Sequence, residues 1–537
     1  MGAFDGADRL NSSIANFIPT LGSADADIIP SKELADGRAQ HLLNNDAYVQ
    51  GGQTLHKDNI VGSQFLLNAR PMSRTIFGKV DDPWENEFQE EVEEIFDLAS
   101  ESPDHFFDAQ GMNTLTGLVR LAVGIACASG EALASVEWIK DGRPFNTAIQ
   151  MIDVARLSTP DSLPEALDPN IRGGVKKDRR GKPQSYYIRN VHPHDLNYHF
   201  TRAMEFNKWR EVPARTKWGR AQMIHIMEQS RPDQTRGIAD LTAALKEIHI
   251  THKFRDITLQ NAVTQALYAA AITSELPSET VFSQLGGGTM TPEQIEKAIQ
   301  SYAIGFYNTI DQFAGSAKNL HVDGVRIPHL LPGTKLEMIS PGKGGPLGEN
   351  FEQSLLRYIA ATLGVSYEQL SRDYTNTSYA SARAAMADTW RFMQARKKSV
   401  ADKFATIIFR LWLEEMINAN ALSTFPASKA PMLYTNGRLN MKFEAISRCE
   451  WIGASRGQID ELKETQAAVL RINNNLSTRE DEIARLGGDW RKKMRQLKRE
   501  QDLFDSLGLR DASGASANMM NAANGTADTA DEKGKTK

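Results

Sequence analysis

One short run of small and hydroxyl-bearing residues has the spacing of a catalytic nucleophile. Gly453, Ser455 and Gly457 match the G-x-S-x-G pattern, in which a serine sits on a tight turn between a strand and a helix. In that fold the catalytic histidine follows the serine, whereas the last histidine of this chain is His329. A hydrolase using Ser455 is therefore one alternative, and a helix N-terminus capped by Ser455 is the other.

A cluster of histidines is the second candidate for chemistry. His192, His194 and His199 lie close together around Asp195, and imidazole and carboxylate groups are common metal ligands. A proline-bounded turn followed by a strand of alternating polarity explains the same residues. No second cluster of histidines or acids accompanies them, so we predict no metal site, and a metal-dependent hydrolase stays within the alternative.

Two glycine-rich tracts, at 286–288 and 342–345, invite comparison with phosphate-binding loops. Neither contains G-x-x-x-x-G-K-[ST], because Lys343 is followed by glycine rather than serine or threonine. We therefore expect no bound cofactor. If ATP drives a process in which this chain takes part, another chain hydrolyses it.

Charge is concentrated in two segments. Residues 491–499 carry six basic side chains, which could bind phosphates without reading sequence, although acidic neighbours favour a solvated helix face. Residues 81–101 carry ten acids and no base, with apolar residues at helical spacing. This second segment is predicted to be an amphipathic helix whose acidic face is solvated or contacts another subunit.

The elements that would position a functional contact are clearest around residue 373. A short polar loop, 373–378, precedes a stretch without glycine or proline that is predicted to be helical to about Ala421. At ~1.5 Å per residue, roughly 42 residues form a rod of about 60 Å. A loop mounted on such a rod suggests a large assembly that holds a flexible contact at a fixed radius.

Composition limits the class of protein. The 537 residues, 41% hydrophobic and 24% charged, are enough for about three or four domains of ordinary globular character. The net charge of −5 is not that of a protein that grips nucleic acid by neutralising phosphates. Two cysteines, Cys127 and Cys449, predict folding in a reducing compartment without a disulfide framework. No membrane span or secretory signal is expected.

The order of the predicted elements suggests two helices that lead into and out of a small inserted module. Residues 1–45 are predicted to be loop-rich with weak helical patches, and 46–64 a helix broken at Gly51–Gly52. Strand signals dominate 131–228, where 173–184 resembles a basic hairpin tip. A long helix over 238–274 leads into a small module at 275–345, and a second helix, 349–364, leads back. Strands at 432–434 and 439–446 precede a helix-rich region, and the tail beyond 511 is predicted to be disordered.

Three ordered blocks of sequence resemble the lambda-type portal proteins of tailed bacteriophages. They are RPDQTRGIADLTAAL at 231–245, the segment from LLPGTKLEMISPGKGGPLGENF to YTNTSYASARAA at 330–385, and a W-x-G-x(6)-D-x-x-K-E pattern that begins at Trp451. Together they span most of residues 40–510. The family usually has Asp-Pro where this chain has Asp460-Glu461, which affects how the last region starts.

The resemblance implies an α+β, predominantly helical, portal-type fold that assembles as a ring. It assigns an N-terminal arm (1–45), a mixed α/β wing (46–235), two stem helices (236–274 and 346–370) around a small α/β clip (275–345), a channel loop (371–379), a long wing helix with returning strands (380–450), a helical crown (451–510) and a disordered tail (511–537).

The same resemblance implies a function as a head-tail connector. Such a ring, usually of twelve copies, sits at one capsid vertex of the virion after assembly in the host cytoplasm. Double-stranded DNA is packaged and later ejected through it. The expected partners are further copies of the chain, DNA, the terminase large subunit, the major capsid protein and head-tail connector proteins, and the chain itself is expected not to be an enzyme.

The residues of the channel loop suit this function because a conduit must release its cargo. Fixed cations would hold phosphates and stall translocation. The resemblance assigns DNA contact to the loop residues Asp373, Tyr374, Thr375, Asn376, Thr377, Ser378 and Tyr379. Candidate contacts to DNA or to neighbouring subunits are Arg372, Arg383, Arg491, Lys492, Lys493, Arg495, Lys498 and Arg499. The remaining alternatives are the hydrolase and a structural adaptor ring from elsewhere in the virion.

Overall fold

The acidic run near the N-terminal third of the chain folds as its pattern predicts. In the computed structural model it is a helix, Asp82–Ser100, capped by the Asp81 carboxylate and buried along the face that carries Phe88, Val92 and Phe96. The structure describes residues 5–8, 12–163, 165, 168–195, 207–268, 297, 300, 301, 304, 305, 320–322, 325–327, 349–457 and 460–508. The chain divides into two units, residues 1–247 with 356–537, and residues 248–355.

Helices provide most of the regular structure. In chain order the α-helices are α1 (Ala24–Asn45), α2 (Ala47–Ile60), α3 (Ser73–Phe77), α4 (Asp82–Ser100), α5 (Leu115–Ser129), α6 (Leu245–Tyr268), α7 (Glu349–Leu363), α8 (Tyr367–Ser371), α9 (Tyr379–Arg396), α10 (Asp402–Asn418), α11 (Met441–Ile446), α12 (Glu461–Asn473), α13 (Arg479–Arg485) and α14 (Trp490–Leu507). Short 3-10 segments are Asp5–Ala7, Val154–Arg156, Asp240–Ala244 and Ala427–Leu433. No helix in the described ranges combines the length and the apolar character that a membrane crossing requires.

The strands form small antiparallel sheets. They are β1 (Leu66–Ala69), β2 (Glu131–Trp138), β3 (Thr147–Ile152), β4 (Ile171–Arg172), β5 (Val175–Lys177), β6 (Pro183–Arg189), β7 (Trp209–Pro213), β8 (Met223–Met227), β9 (Leu320–Val322), β10 (Val325–Ile327), β11 (Tyr434–Thr435), β12 (Arg438–Leu439) and β13 (Cys449–Ile452). One sheet has the order β3-β2-β8 and another the order β4-β5-β6-β7, while β1 pairs with β13, β9 with β10 and β11 with β12. The predicted basic hairpin is confirmed, with Val175 opposite Tyr186.

Two apolar clusters hold the larger unit together. The first joins the three-stranded and four-stranded sheets through residues such as Leu133, Val175 and Ile188. The second is aromatic and joins α4 to α10, where the ring centroids of Phe96 and Trp412 lie 5.0 Å apart. Burial of such large side chains contributes about 1.5–3 kcal/mol each. The helix-rich mixture of helices and sheets predicted from the sequence is confirmed.

Two local predictions fail near the N-terminus. The loop-rich interpretation of residues 24–45 is wrong, because they form the 22-residue helix α1, which begins at the Ser23 cap and contains Pro30. The predicted break at Gly51–Gly52 is also wrong, since α2 runs through both residues. A Cβ atom at Gly52 would lie 2.6 Å from the Leu363 side chain, so the glycine permits close helix packing rather than ending the helix.

Other boundaries also differ from the sequence predictions. Helix α6 starts at Leu245 rather than 238, because a 3-10 segment precedes it. The strand expected at 439–446 is largely a helix, α11, whose first turn is capped by the Asn440 side chain. The predicted clip (275–345) and tail (511–537) lie almost entirely outside the described residues. The division into wing, stem, clip and crown stays a prediction.

Candidate functional site

The loop at residues 371–379 is fixed at both of its ends. Ser366 and Gln369 form a reciprocal capping box at the start of α8, and the side-chain amide oxygen of Gln369 accepts a hydrogen bond of 2.8 Å from the Thr389 hydroxyl on α9. Helix α8 ends at Ser371, and the next residue, Arg372, has a φ of +58° that reverses the chain direction. The helix that precedes the loop is therefore tied to the helix that follows it.

Within the loop, side chains replace regular backbone pairing. The Asp373 carboxylate accepts hydrogen bonds from the Thr375 amide (3.0 Å) and hydroxyl, and these bonds lower its pKa. The Thr377 amide donates to the Tyr374 carbonyl oxygen (3.1 Å), and Ser378 caps α9 by accepting from the Ser381 amide (3.2 Å). These bonds form a turn that ends where the helix begins.

The chemical character of this loop surface is polar and nearly free of charge. Tyr374 and Tyr379 remain about half exposed, and Thr375, Asn376 and Ser378 are also exposed. The surface offers hydroxyl and amide groups, one ionised carboxylate at neutral pH, and no cation between Arg372 and Arg383. Such groups can exchange hydrogen bonds with phosphate oxygens or water without neutralising phosphate charge.

The two arginines that flank the loop are exposed, and within the described ranges neither lies within 4.0 Å of a carboxylate. Arg383 nevertheless lies near the start of α12. Hydrogen bonds from Lys463 lower the pKa of the Asp460 carboxyl there, and the Arg383 charge adds to that effect. The predicted pairing of Arg372 and Arg383 with acids of a neighbouring subunit stays a prediction.

The rod that carries the loop is not one uninterrupted α-helix. Helices α9 and α10 are joined by a π-helical turn, Lys397–Ala401, so the predicted uniform helix is wrong at this point, and α10 ends at Asn418. The turn places the Lys397 ammonium in the interior, 2.7 Å from both the Asp402 carboxylate and the Trp451 carbonyl oxygen. Insertions of this kind occur often at functional positions in helices.

Beyond that turn, α10 is anchored in the core. Phe404, Ile408 and Trp412 are all at most 1% exposed. Helix α9, which follows the loop directly, is mostly exposed. Its buried residues are Thr389 and Met393. The loop is therefore mounted on a helix whose far half is immobilised by packing.

The basic run on α14 and the acidic face of α4 bind one another. Lys492 lies 2.7 Å from Asp97, Arg495 pairs with Glu90, and Arg491 donates to the Gln89 side chain (3.0 Å). Half of the run is thus engaged within the chain. Lys493, Lys498 and Arg499 are exposed and have no carboxylate within 4.0 Å among the described residues.

Other acids of α4 act as acceptors for neighbouring backbone. Glu85 accepts from the Ser73 amide (2.6 Å), Glu93 from the Ala69 amide (2.8 Å) and Glu91 from the Ser423 amide (2.6 Å). Burial raises the pKa of Glu93 to about 7. The acidic density of this helix therefore stabilises three adjoining segments as well as α14.

The serine motif does not form a nucleophile elbow. Strand β13 ends at Ile452 and α12 begins only at Glu461, whereas an elbow joins strand and helix directly through the serine. Ser455 is exposed, and the helix is capped by Asp460 instead, so the predicted capping by Ser455 is also wrong. Gly453 is packed against the Ile60 carbonyl oxygen, where a Cβ atom would lie only 2.7 Å away.

The two described histidines of the cluster lie side by side, with the His194 amide donating to His192 Nδ1 (3.2 Å), but their rings face different acids. His192 lies 3.7 Å from Asp153 and His194 lies 3.4 Å from Glu33, while His199 falls outside the described residues. In the part of the chain that the structure describes, no group of three or more His, Cys, Asp or Glu side chains is placed to hold a metal ion.

Sequence reasoning missed a buried charged cluster around Glu131. This carboxylate, 0% exposed, lies 2.8 Å from Arg236, 3.2 Å from Lys32 and 2.9 Å from His225, and it accepts from the Gly237 amide. Burial alone would raise the pKa of Glu131, but the Arg236 and Lys32 cations hold it well below its ordinary value. The only indication of this cluster in the sequence is that charged residues stand next to apolar residues of the predicted strands.

The contacts of this cluster explain why the RPDQTRG segment, residues 231–237, carries these polar and charged residues. Besides Glu131, the Arg236 guanidinium donates to the carbonyl oxygens of Leu157 (2.7 Å), Gly173 (2.8 Å) and Val154. Asp25 accepts from the Thr235 amide at 2.7 Å. The segment before α6 is therefore bound to both large sheets and to α1.

Comparison with known proteins identifies the family. The model described as "Phage portal protein, lambda family" matches residues 11–397. "Portal protein" of Escherichia phage N15 is 33% identical over 517 residues, covering 96% of this chain and 93% of that protein. "Portal protein B" of Escherichia phage lambda is 32% identical over 518 residues, covering 96% and 92%. The chain belongs to the lambda family of phage portal proteins.

More distant similarities were also found. "Probable portal protein" of Halomonas phage phiHAP-1 is 21% identical over 502 residues, covering 93% of this chain and 86% of that protein. Among solved structures, "Neck of native GTA particle computed with C12 symmetry" has a TM-score of 0.39 and 13% identity, covering 84% of this chain and 93% of that one. "Neck of empty GTA particle computed with C6 symmetry" has a TM-score of 0.40 at the same identity and coverage.

Proposed function

We propose that copies of this portal protein close into a ring at one capsid vertex and that residues 371–379 face the axial channel. Double-stranded DNA enters the capsid through this channel during packaging and leaves through it on ejection. As a member of the portal family, the protein is a component of the virion. Its own role is structural, and the energy for translocation comes from ATP hydrolysis by the terminase.

The observation that carries this proposal is the chemistry of the loop on its mount. Between Arg372 and Arg383, a surface of hydroxyl and amide groups with one carboxylate and no cation contacts a polyanion weakly and without sequence preference. The loop is held at both ends by the α8 capping box and the Ser378 cap, and α10 is buried. The arrangement supports a role in guiding DNA rather than in binding it tightly.

The remaining partners follow from the same assembly. Residues 46–235 with 380–450 would form the wing, 236–274 and 346–370 the stem, 275–345 the clip and 451–510 the crown. The clip would meet the terminase large subunit and later the head-tail connector proteins, and the wing would meet the major capsid protein. Exposed basic residues of the predicted crown, such as Lys498 and Arg499, remain candidates for contact with packaged DNA.

Both the local geometry at Ser455 and the membership of the portal family argue against the hydrolase alternative. The strand-turn-helix elbow is absent at Ser455, and among the described residues no hydrogen bond joins Ser455 to a histidine. A ring-forming structural protein needs neither a nucleophile nor a metal. We therefore retain the portal function alone.

A change of charge in the loop tests the proposal more sharply than a deletion. Asn376→Lys places one extra cation per copy at the exposed tip of the loop, and in a ring of about twelve copies these cations surround the DNA. Packaging in a defined assay with terminase, ATP and empty shells is expected to slow at low salt. Because phosphate contacts weaken as salt rises, added salt should restore much of the rate.

A matched control separates this effect from net charge. Asn44→Lys makes the same substitution at an exposed position on α1, far along the chain from the loop, and should package at the unmodified rate. Rings of both variants should have the same mass. If Asn376→Lys packages normally at every salt concentration while its rings are intact, the loop does not contact DNA.

A further inference from the structure

A cleft of about 780 Å³ lies in the larger unit, away from the loop and beside the last turn of α10. Its walls come from the end of β2, the turn before β8 and the last turn of α10. The residues that matter for its chemistry are Trp138, Trp218, Arg220, Glu414, Glu415 and Tyr434. Nothing in the proposed DNA channel uses this cleft.

The charges inside the cleft are already neutralised or hydrogen-bonded. Glu414 accepts from Arg220 (2.9 Å), from the Trp218 indole nitrogen (3.2 Å) and from the Tyr434 hydroxyl (3.1 Å). Glu415 accepts from the Asn146 and Thr147 amides at 2.6 and 2.9 Å. Both carboxylates are buried. A cationic or phosphate-bearing ligand therefore gains no free charge to pair with here.

The aromatic rings of the cleft, by contrast, lack cover. Trp138 is 51% exposed and Trp218 44% exposed, whereas Trp412 in the core of the same unit is fully buried. The Arg220 guanidinium lies 5.4 Å from the centre of the Trp138 ring. Exposed tryptophan next to tyrosine and arginine is the composition of residues that contribute most to binding between proteins.

The position of the cleft along the rod indicates which partner covers it. The loop precedes α9 at Tyr379, and the cleft includes Asn418 at the end of α10. At ~1.5 Å per residue, about 60 Å of helix separates the two positions. If the loop faces the channel, as proposed above, the cleft lies at the outer end of the rod. Neighbouring copies in a ring flank the rod, while the capsid shell faces that end.

We infer that this cleft docks an uncharged, apolar peptide segment of the surrounding capsid shell. The inference rests on the proposed function, because only a ring gives the rod an inner and an outer end. Trp138 and Trp218 would bury their ring carbons against the segment. The polar edge of Trp218 would stay bonded to Glu414.

Co-expression with the major capsid protein tests this inference. Trp138→Ala removes a ring that contacts Arg220 but makes no hydrogen bond to any described residue, and Met112→Ala removes an exposed apolar side chain elsewhere in the same unit as a control. Rings of both variants should keep the unmodified mass. The fraction of shells that contain a ring should fall at least tenfold for Trp138→Ala and remain unchanged for the control.

A photo-crosslinking residue in place of Trp218 identifies the occupant directly. An adduct with the capsid shell protein supports the inference. An adduct whose mass equals two copies of this chain, or normal ring incorporation by Trp138→Ala, overturns it. Failure of the unmodified chain to form rings would refute the proposed function, and it is recognised separately by particle mass.

Discussion

The buried charge cluster around Glu131 gives a quantitative prediction. Glu131→Gln keeps the size and an acceptor for the Gly237 amide but leaves the Arg236 cation, 7% exposed, without a carboxylate partner among the described residues, while Lys32 keeps Asp36 at 2.9 Å. Removing one partner of a buried ion pair typically costs about 3–5 kcal/mol. A free-energy change of 1.4 kcal/mol corresponds to a factor of about ten in an equilibrium constant. The equilibrium constant for local opening around Glu131 should therefore rise by roughly two to three and a half powers of ten.

The assay is hydrogen exchange measured by mass spectrometry on the assembled protein. This method reports local opening, which suits a chain of several units that need not unfold in one step. Amides of α1 and of residues 231–244 should exchange at least a hundredfold faster in Glu131→Gln. Amides of α10, which contacts other parts of the core, should change little.

An exposed ion pair provides the control for this experiment. Arg231 and Asp27 are 41% and 50% exposed and lie 2.6 Å apart in the same region. Pairs of this kind contribute about 0–1 kcal/mol, so Asp27→Asn should accelerate exchange by less than about tenfold. Equal exchange rates in Glu131→Gln and Asp27→Asn would refute the argument that the buried cluster fixes the segment before α6.

Three further predictions follow from α4 and α2. Reversing charge at Lys492 and Arg495 should release α14 and expose it to protease, while the same change at Lys498, which has no carboxylate nearby among the described residues, should not. Glu93 has a pKa raised to about 7, so the folded state binds its proton more tightly than the unfolded state does. Stability should therefore fall as pH rises from about 4.5 to 7, and Glu93→Gln should remove that slope in urea unfolding. Burial lowers the pKa of His56 to about 4, so stability should fall as pH drops from 6.5 to 4, and His56→Gln should abolish that loss.

Several elements could be predicted from the sequence because their determinants are local. The period of Phe88, Val92 and Phe96 predicts α4, and the strand-forming residues of β2 and β3 predict their strands. The polar loop at 373–378 was located because it interrupts two helical patterns. In each case the spacing of neighbouring residues carries the information.

Other features depend on contacts between residues far apart in the chain. The pairing of α14 with α4 joins residues about 400 positions apart, and each segment alone resembles a solvated face. Pro30 obscured α1, whose stability comes from tertiary contacts such as Lys32 with Glu131. The π-helical turn at 397–401 has no local signal, since it depends on the position of Asp402 and the Trp451 carbonyl oxygen around Lys397.

The same distinction between local and long-range determinants applies to the candidate site. The loop residues and the resemblance to portal proteins could both be read from ordered sequence blocks, and the family is confirmed. The role of Arg236 in those blocks could not, because its four binding partners come from three separate segments of the chain. The cleft beside Trp138 also had no sequence signal, since its walls come from four parts of the chain that are far apart in sequence.

Cryo-electron microscopy of the purified protein shows whether its copies close into a ring around a channel lined by the loop. Twelve copies of a 59.6 kDa chain would form a closed ring of about 715 kDa. The particle is expected to be rotationally symmetric, with residues 371–379 lining the narrowest part of an open central channel. A single subunit under every assembly condition, or a ring with these residues on its outer surface, would contradict this expectation.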